Sequence, residues 1–525
     1  TLWGPIMSSF KSNLNPEFRS KFSEDIFNHK YRHEGAETWD ALSKTLVEDV
    51  CGGELTKEEV DQLTTYIREM KFIPGGRYLY YAGRPNKFFN NCYLLKAEED
   101  SREDWANLSW KAENCLMTGG GIGVDYSVYR ASGTPISKTG GTASGPIPKM
   151  NMLNEIGRRV MQGGSRRSAI YASLNWQHIS VNYDTEWLLN YYKTGKVGDV
   201  FMQNVRQAMQ SAEPGFSFNF FDKEDETLRN ACTEVTSATD SDVCNLGSIN
   251  MGRIKDIDEM ADVVALGTKF LICGTLKAKL PYDKVYLTRE KNRRLGLGLM
   301  GMHEWLIQRG SRYEVTPELH QWLSVYEGVS DKVSRETADE FGISRPVANR
   351  AIAPTGSIGI LAGTSTGLEP IFAVAYKRRY LKGNSRWVYQ YVVDSAAQTL
   401  IDRYGAQPDN VESALDLAED YERRMAFQAD VQDYVDMSIS STINLPSWGS
   451  KLNNEGTVDK FANTLAKYAP RLRGFTCYPD GSRGGQPLTS VPYQEAVDKL
   501  GEEFDEHVET HDICDITGTG GSCGV

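Results

Sequence analysis

Apolar residues recur at helical spacing over residues 36–50 and again over 57–70, which predicts two amphipathic helices near the start of the chain. Phe72-Ile73-Pro74-Gly75-Gly76 closes that region, because proline and paired glycines interrupt a helix. Beyond it the period switches repeatedly. Helical spacing predicts helices over 104–117, 147–161, 294–308 and, most strongly, 411–436. Extended patterns predict strands over 121–129, 168–174 and 244–251, and residues 351–361 read as a strand or turn entering a helix. Such alternation predicts an α/β fold with much parallel pairing. From about Pro492 the pattern changes: acidic residues crowd the chain and it ends in the glycine-rich run 517–522, the composition of a mobile acidic tail.

Composition narrows the function classes. The chain has 525 residues, 40% hydrophobic and 24% charged, enough for a sizeable core and unlike a disordered chain, a collagen or a coiled coil. A net charge of −12 argues against a nucleic-acid scaffold, which needs basic patches, but is compatible with small phosphorylated ligands held by local loops. The most apolar stretch, 263–280, is too short for a membrane span and is broken by Lys269, Lys277 and Lys279. No basic-then-apolar signal opens the chain, so a cytoplasmic, reducing setting is expected. Nine cysteines, scattered and without a C-x-x-C pair, argue against a disulfide framework and a zinc ribbon. Seven histidines, none paired at ligand spacing, predict no metal site. There is no G-x-x-x-x-G-K-[ST] phosphate loop, residues 119–123 are not a dinucleotide fingerprint, and Asp505-Glu506-His507 fails the D-x-H-x-x-G cobalamin pattern.

Four constellations could carry chemistry. In Asn230-Ala231-Cys232-Thr233-Glu234, an extended backbone would turn the amide, the thiol and the carboxylate to one side. A carboxylate raises the pKa of a neighbouring thiol, so this arrangement suits a neutral S–H in hydrogen-atom chemistry, with Glu234 as general base to a hydroxyl. Spacing alone favours a structural cysteine in a polar loop. Asn91-Cys92 and Val243-Cys244 each adjoin an apolar run, and two such strands side by side would place their thiols in disulfide range; two core cysteines fit as well. Pro354-Thr355-Gly356-Ser357-Ile358 opens a helix with small and hydroxyl residues, offering backbone N–H groups to a phosphate or simply capping the helix. Gly163-Gly164-Ser165-Arg166-Arg167 is either a nucleotide loop or a solvated turn.

Taken in order, these segments resemble the large catalytic subunit of ribonucleotide reductases. Residues 230–234 look like that family's N-x-C-x-E finger loop, and Cys92 and Cys244 like its redox pair. The segments 120–123, 130–133, 293–301, 354–357, 436–440 and 478–483 match further signatures. The resemblance implies a ten-stranded α/β barrel of two five-stranded halves with a central finger loop: a helical region at 1–70, the catalytic barrel at 71–490, and a flexible tail at 491–525. It implies that Cys232 becomes a thiyl and abstracts the 3′ hydrogen of a ribonucleotide. Glu234 would take the 3′-hydroxyl proton and Asn230 hold that hydroxyl. Cys92 would protonate the leaving 2′-hydroxyl and then pair with Cys244. Cys514 and Cys523 would reduce that disulfide, in exchange with a thioredoxin- or glutaredoxin-type protein. Asn91, Gly121, Pro354, Thr355, Gly356, Ser357 and Ile358 would bind substrate. Asp100, Ser101, Arg130 and Arg166 would bind a nucleoside triphosphate effector at a homodimer interface.

Departures point to a branch. The space ahead of Trp3-Gly4-Pro5 is too short for the family's N-terminal regulatory cone, so overall control by ATP or dATP is not expected. Cys477-Tyr478 stands where members driven by a metal-containing radical subunit carry paired tyrosines, and glycyl-radical and zinc signatures are missing. The resemblance is therefore greatest to the adenosylcobalamin-dependent branch, with the subunit-driven branch and an inactive nucleotide-binding regulator as the alternatives.

Overall fold

A computed structural model of the chain describes residues 18–160, 169–178, 181–382, 386–482 and 488–505. Thr38 and Thr56 start the helices Trp39–Cys51 and Lys57–Arg68, each hydroxyl accepting a backbone N–H from the first turn, and Glu59 returns the bond to complete a capping box at the second. Leu42, Leu46 and Val50 of one helix and Leu63 and Ile67 of the other enter the largest core cluster. The predicted helices near 104–117 and 147–161 are Arg102–Met117 and Ile147–Arg159.

Backbone pairing follows a ring. Strands Cys92–Lys96, Gly121–Asp125 and Ile170–Ser173 run parallel in that order; Asn175 then bridges Asn182 in parallel, and Asn182–Tyr183 pairs in parallel with Phe216–Phe218. A second parallel set comprises Gly474–Pro479, Thr442–Leu445 with Ile439 just before it, the segment 350–352, Leu295–Met300 and Asp242–Asn250. Two antiparallel seams join the sets, Cys92–Lys96 against Asp242–Asn250 and Phe216–Phe218 against Gly474–Pro479. This is the expected barrel of two five-stranded halves, with single bridges completing the circle.

Between Phe216–Phe218 and Asp242–Asn250 the chain leaves the ring as a hairpin, Leu228–Arg229 against Thr236–Ser237. A β-carbon on Gly123 would lie 1.5 Å from the carbonyl oxygen of Arg229, so the hairpin lies flat on a strand of the first half. Ser438 N donates to Glu234 O at 2.8 Å and ties the tip to the second half. The buried Arg229 guanidinium donates to Asn219 Oδ1 at 2.7 Å and to the Arg473 carbonyl at 3.0 Å, one contact beside each strand of the far seam. Ala348, Ala351 and Ala353 share a cluster with Leu228 and Val235, small side chains that leave room for the hairpin.

Three expectations are corrected. Residues 294–308 are not one helix: Leu295–Met300 is a buried strand and only Met302–Gln308 is helical. Leucine alternates with glycine because a β-carbon on Gly296 would strike Leu246 and one on Gly298 would strike the Ala351 carbonyl; with both faces buried, no polar alternation marks the strand. Residues 411–436 divide into Ala414–Leu417, started by a Ser413–Asp416 capping box, and Tyr421–Gln432, because the chain turns at Asp420. The acidic stretch after Pro492 does not leave the surface at once. Tyr493–Asp498 is a helix and Glu503–Asp505 pairs antiparallel with Arg386–Val393. Its acids find partners, Arg386 with Asp505 at 2.5 Å and Tyr391 Oη with Glu495 at 2.9 Å, while Ala496 is buried and Phe504 stacks on Tyr389. Among the described residues no helix is long and apolar enough to cross a membrane.

Gly123→Ala is expected to destabilise the protein by about 3 kcal/mol or more, since backbone must move to admit one methyl group. Gly328→Ala, on the exposed side of the helix Pro317–Phe341 with open space around it, should be neutral or stabilise by up to about 1 kcal/mol. Urea unfolding of the two variants checks the contrast.

Candidate active site

The hairpin tip is a tight turn, not the extended run expected. Thr233 N donates to Asn230 O at 3.0 Å, Thr233 takes a φ of 71°, and the Asn230 side chain accepts from Val235 N at 3.0 Å. Asn230, Cys232 and Glu234 nevertheless converge on one narrow cavity, gathered by the turn rather than by period two. Ring strands bring Asn91, Cys92 and Gly121 to the same cavity, and Pro354, Thr355, Gly356, Ser357 and Ile358 close it. Thr355 there has a φ of 52°, held by Gly367 N donating to its hydroxyl at 2.7 Å. The N–H groups of Gly356, Ser357 and Ile358 precede the first intrahelical bond of Gly356–Ala362, from Gly359 N to Thr355 O.

Burial sets the electrostatics. Asn230 Nδ2 donates to Cys92 Sγ at 3.0 Å, and that sulfur lies 3.9 Å from Glu234 Oε1. Burial, with Glu234 and Cys244 nearby, pushes the Cys92 thiol well above its ordinary pKa, so it keeps its proton. Burial and Glu234 do the same to Cys244. Glu234 is 1% exposed and burial pushes its carboxyl up to about 7, against bonds from Asn230, its own backbone and Cys92 that pull it down. Its Oε2 has no hydrogen-bond partner in the structure. Cys92 stands opposite Cys244 in the antiparallel ladder, where facing β-carbons lie roughly 4.5–5.5 Å apart, a short adjustment from disulfide geometry.

A second, wider cavity of about 770 Å³ adjoins it at the hairpin, sharing Ala231, Cys232, Pro354 and Gly356 with the narrow one and lined also by Tyr376, Arg378, Cys477 and Tyr478. Asp100, Ser101 and Arg130 meet elsewhere and line neither cavity: Arg130 pairs with Asp100, and Ser101 accepts from Asp104 N at 3.1 Å to start Arg102–Met117. Arg166, Cys514 and Cys523 lie outside the described residues.

The barrel-domain model of ribonucleotide reductases matches residues 90–184, 181–320 and 330–472, most of the ring and all of the hairpin. The chain belongs to the ribonucleotide reductase family. It is 26% identical over 531 residues to a vitamin B12-dependent ribonucleoside-diphosphate reductase of Mycobacterium tuberculosis (strain CDC 1551 / Oshkosh), covering 85% of this chain and 75% of that protein. It is 25% identical to the protein of the same name from Thermoplasma acidophilum, covering 82% of this chain and 66% of that one. Its fold is that of a solved B12-dependent (class II) ribonucleotide reductase, with a TM-score of 0.67 at 16% identity, over 94% of this chain and 96% of the other.

The wider cavity suits a large organic cofactor. At about 770 Å³ it has room for a drug-sized group, and so for part of a larger cofactor, with Cys232 on its wall beside the small residues Ala231 and Gly215. Among the described residues no three His, Cys, Asp or Glu side chains are grouped to hold a metal ion. Residues that the sequence did not mark also stand at this site. Gly75, Gly76 and Ser248 line the narrow cavity, and Lys30 reaches it from behind through Ser357. Only the glycine pair carried a signal, read as a helix stop.

Glu234 gives a pH prediction. Its folded pKa of about 7 lies above the ordinary carboxyl value of 4.5, so the folded state holds the proton between those pH values and the unfolded state does not. Stability therefore falls as pH rises from 4.5 to 7, and the full penalty persists above. Glu234→Gln should gain stability relative to the parent across that window, by up to about 3 kcal/mol. Urea titrations at pH 5 and pH 8 test it; a pH-independent difference would contradict the buried carboxyl.

Proposed function

We propose that the protein reduces ribonucleotides to 2′-deoxyribonucleotides by thiyl-radical chemistry, with adenosylcobalamin in the wider cavity. One observation carries the reading: Cys232 lines both the narrow cavity that holds Asn230, Glu234 and Cys92 and the wider one beside it. When bound, adenosylcobalamin supplies the organic radical from which the Cys232 thiyl arises.

The chain's own residues do the rest. The Cys232 thiyl takes the hydrogen atom from C3′ of the ribose. Glu234, poised near neutrality, accepts the 3′-hydroxyl proton, with Asn230 holding the hydroxyl. Cys92, kept as S–H, protonates the 2′-hydroxyl, which leaves as water. Cys92 and Cys244 give up two electrons and join as a disulfide while the ribose is reduced, and Cys232 returns its hydrogen atom to C3′. Each turnover thus converts a ribonucleotide and two thiols to a deoxyribonucleotide, a disulfide and water. Residues 354–358, Asn91 and Gly121 hold the substrate. The relatives named above are diphosphate reductases, and we extend that preference to this chain.

The tail cysteines Cys514 and Cys523 pass electrons from a thioredoxin- or glutaredoxin-type protein by thiol exchange, which suits a reducing cytoplasm. Asp100, Ser101, Arg130 and Arg166 form an effector site for a nucleoside triphosphate in a homodimer. The barrel at 71–490 is the catalytic unit, 1–70 a helical support and 491–525 the redox tail, of which residues up to 505 pack on the barrel as described.

Purified protein with a ribonucleoside diphosphate, a dithiol and adenosylcobalamin, and no second protein, should form deoxynucleotide. Product only on adding a metal-containing radical subunit would move the chain to the subunit-driven branch, and nucleotide binding with no product in either mixture would make it a regulator. Cys232→Ser should bind nucleotide but form no deoxynucleotide above background. After one turnover without reductant, thiol mapping by mass spectrometry should find Cys92 joined to Cys244; a pair involving Cys115 or Cys273 would contradict the mechanism.

A further inference from the structure

Lys30 sits on the turn Phe27–Tyr31, far in sequence from every catalytic segment, yet its Nζ lies 3.0 Å from Ser357 Oγ. The turn is anchored on both sides, since Phe27 and Tyr31 are each 2% exposed and Phe27 packs edge-on against Trp39. The preceding residues grip the same wall from behind: Ser23 Oγ donates to Ile360 O at 2.6 Å, and Arg19 donates to Gly363 O at 3.1 Å while pairing with the buried Glu304. The lysine is therefore delivered to Ser357 by a docked segment and does not arrive there as a wandering surface side chain.

The direction of that bond matters. An ammonium group can only donate, so Ser357 Oγ is the acceptor in this bond, and the serine donates, if at all, in another direction. Ser357 is buried and lines the narrow cavity. Among the described residues that line it, Glu234 is the one carboxylate, so the cavity carries an acid beside Cys232 and, one layer behind Ser357, a cation. That polarity suits a substrate with a sugar hydroxyl at one end and an anion at the other.

We infer that Lys30 is a positioning residue for the substrate's phosphate groups: it fixes Ser357 as a hydrogen-bond donor to a phosphate oxygen and places a positive charge behind it. The inference rests on the reading of residues 354–358 as the phosphate wall and adds to it a residue from outside the barrel.

Equilibrium dialysis of the full chain with a ribonucleoside diphosphate and with the unphosphorylated ribonucleoside tests this, beside steady-state kinetics. Lys30→Met should weaken diphosphate binding roughly tenfold to a hundredfold, the range for a hydrogen bond involving a charged group, and leave ribonucleoside binding within about twofold. The loss should fall on KM rather than kcat. Lys30→Arg should restore most of the affinity, and Lys30→Gln, which can still donate without the charge, should fall between. Lys30→Met combined with Ser357→Ala should lose clearly less than the two single losses added together, since without Ser357 only the charge of Lys30 is left to remove. Unchanged diphosphate affinity in Lys30→Met, equal losses for diphosphate and ribonucleoside, or full additivity with Ser357→Ala would each overturn the inference while leaving the reductase reading intact. A parent protein that binds no ribonucleotide would overturn both.

Discussion

A carbonyl oxygen stands where residue 123 would otherwise carry a β-carbon, and the active site depends on that substitution of backbone for side chain. It lets the hairpin 228–237 cross a ring that is elsewhere filled by side chains. Backbone in such a place must find partners for its polar groups, and the pairings follow: Arg229 with the Asn219 side chain and the Arg473 carbonyl, Ser438 N with Glu234 O, Val235 N with the Asn230 side chain. Once the tip is buried, the protonation states follow too. Glu234 loses its water and rises to about 7, and Cys92 stays a thiol because both burial and the neighbouring carboxyl oppose its ionisation. The acid–base properties of the site are consequences of where the hairpin lies.

Much of this was legible in the sequence, for reasons that differ by element. The helices Trp39–Cys51, Lys57–Arg68 and Arg102–Met117 have one face in the core and one outside it, so period 3.6 survives in their composition. Leu295–Met300 was misread because both its faces are buried, and its glycines record close packing rather than exposure. The ring closes through Asn175, Arg350 and Ile352, pairings of single residues that leave no periodic trace. The acidic stretch before Asp505 reads as tail in composition because charge content is silent about partners such as Arg386 across a strand.

The candidate site was legible residue by residue but for the wrong local reason. Asn230, Cys232 and Glu234 do share a cavity, yet a turn with Thr233 in the left-handed region gathers them, where a straight strand had been assumed. Spacing favoured structural cysteines at 92, 232 and 244; the ladder register that sets Cys92 against Cys244 is a long-range fact that only the assembled seam displays. Lys30 had no signal at all, since a lysine in a short polar segment looks like any solvated side chain until the fold sets it behind Ser357.

Cys232 belongs to a partition. It lines the narrow cavity with Asn230, Glu234 and Cys92, and also a roomier chamber walled largely by other segments, including Tyr376, Arg378, Cys477 and Tyr478. Tyr376 and Arg378, which face the chamber alone, take no part in the hydrogen bonds among Asn230, Cys92 and Glu234. On the proposed reading, a change of radical source would call for refitting the chamber's own segments, while the turn that gathers Asn230, Cys232 and Glu234 could stay as it is.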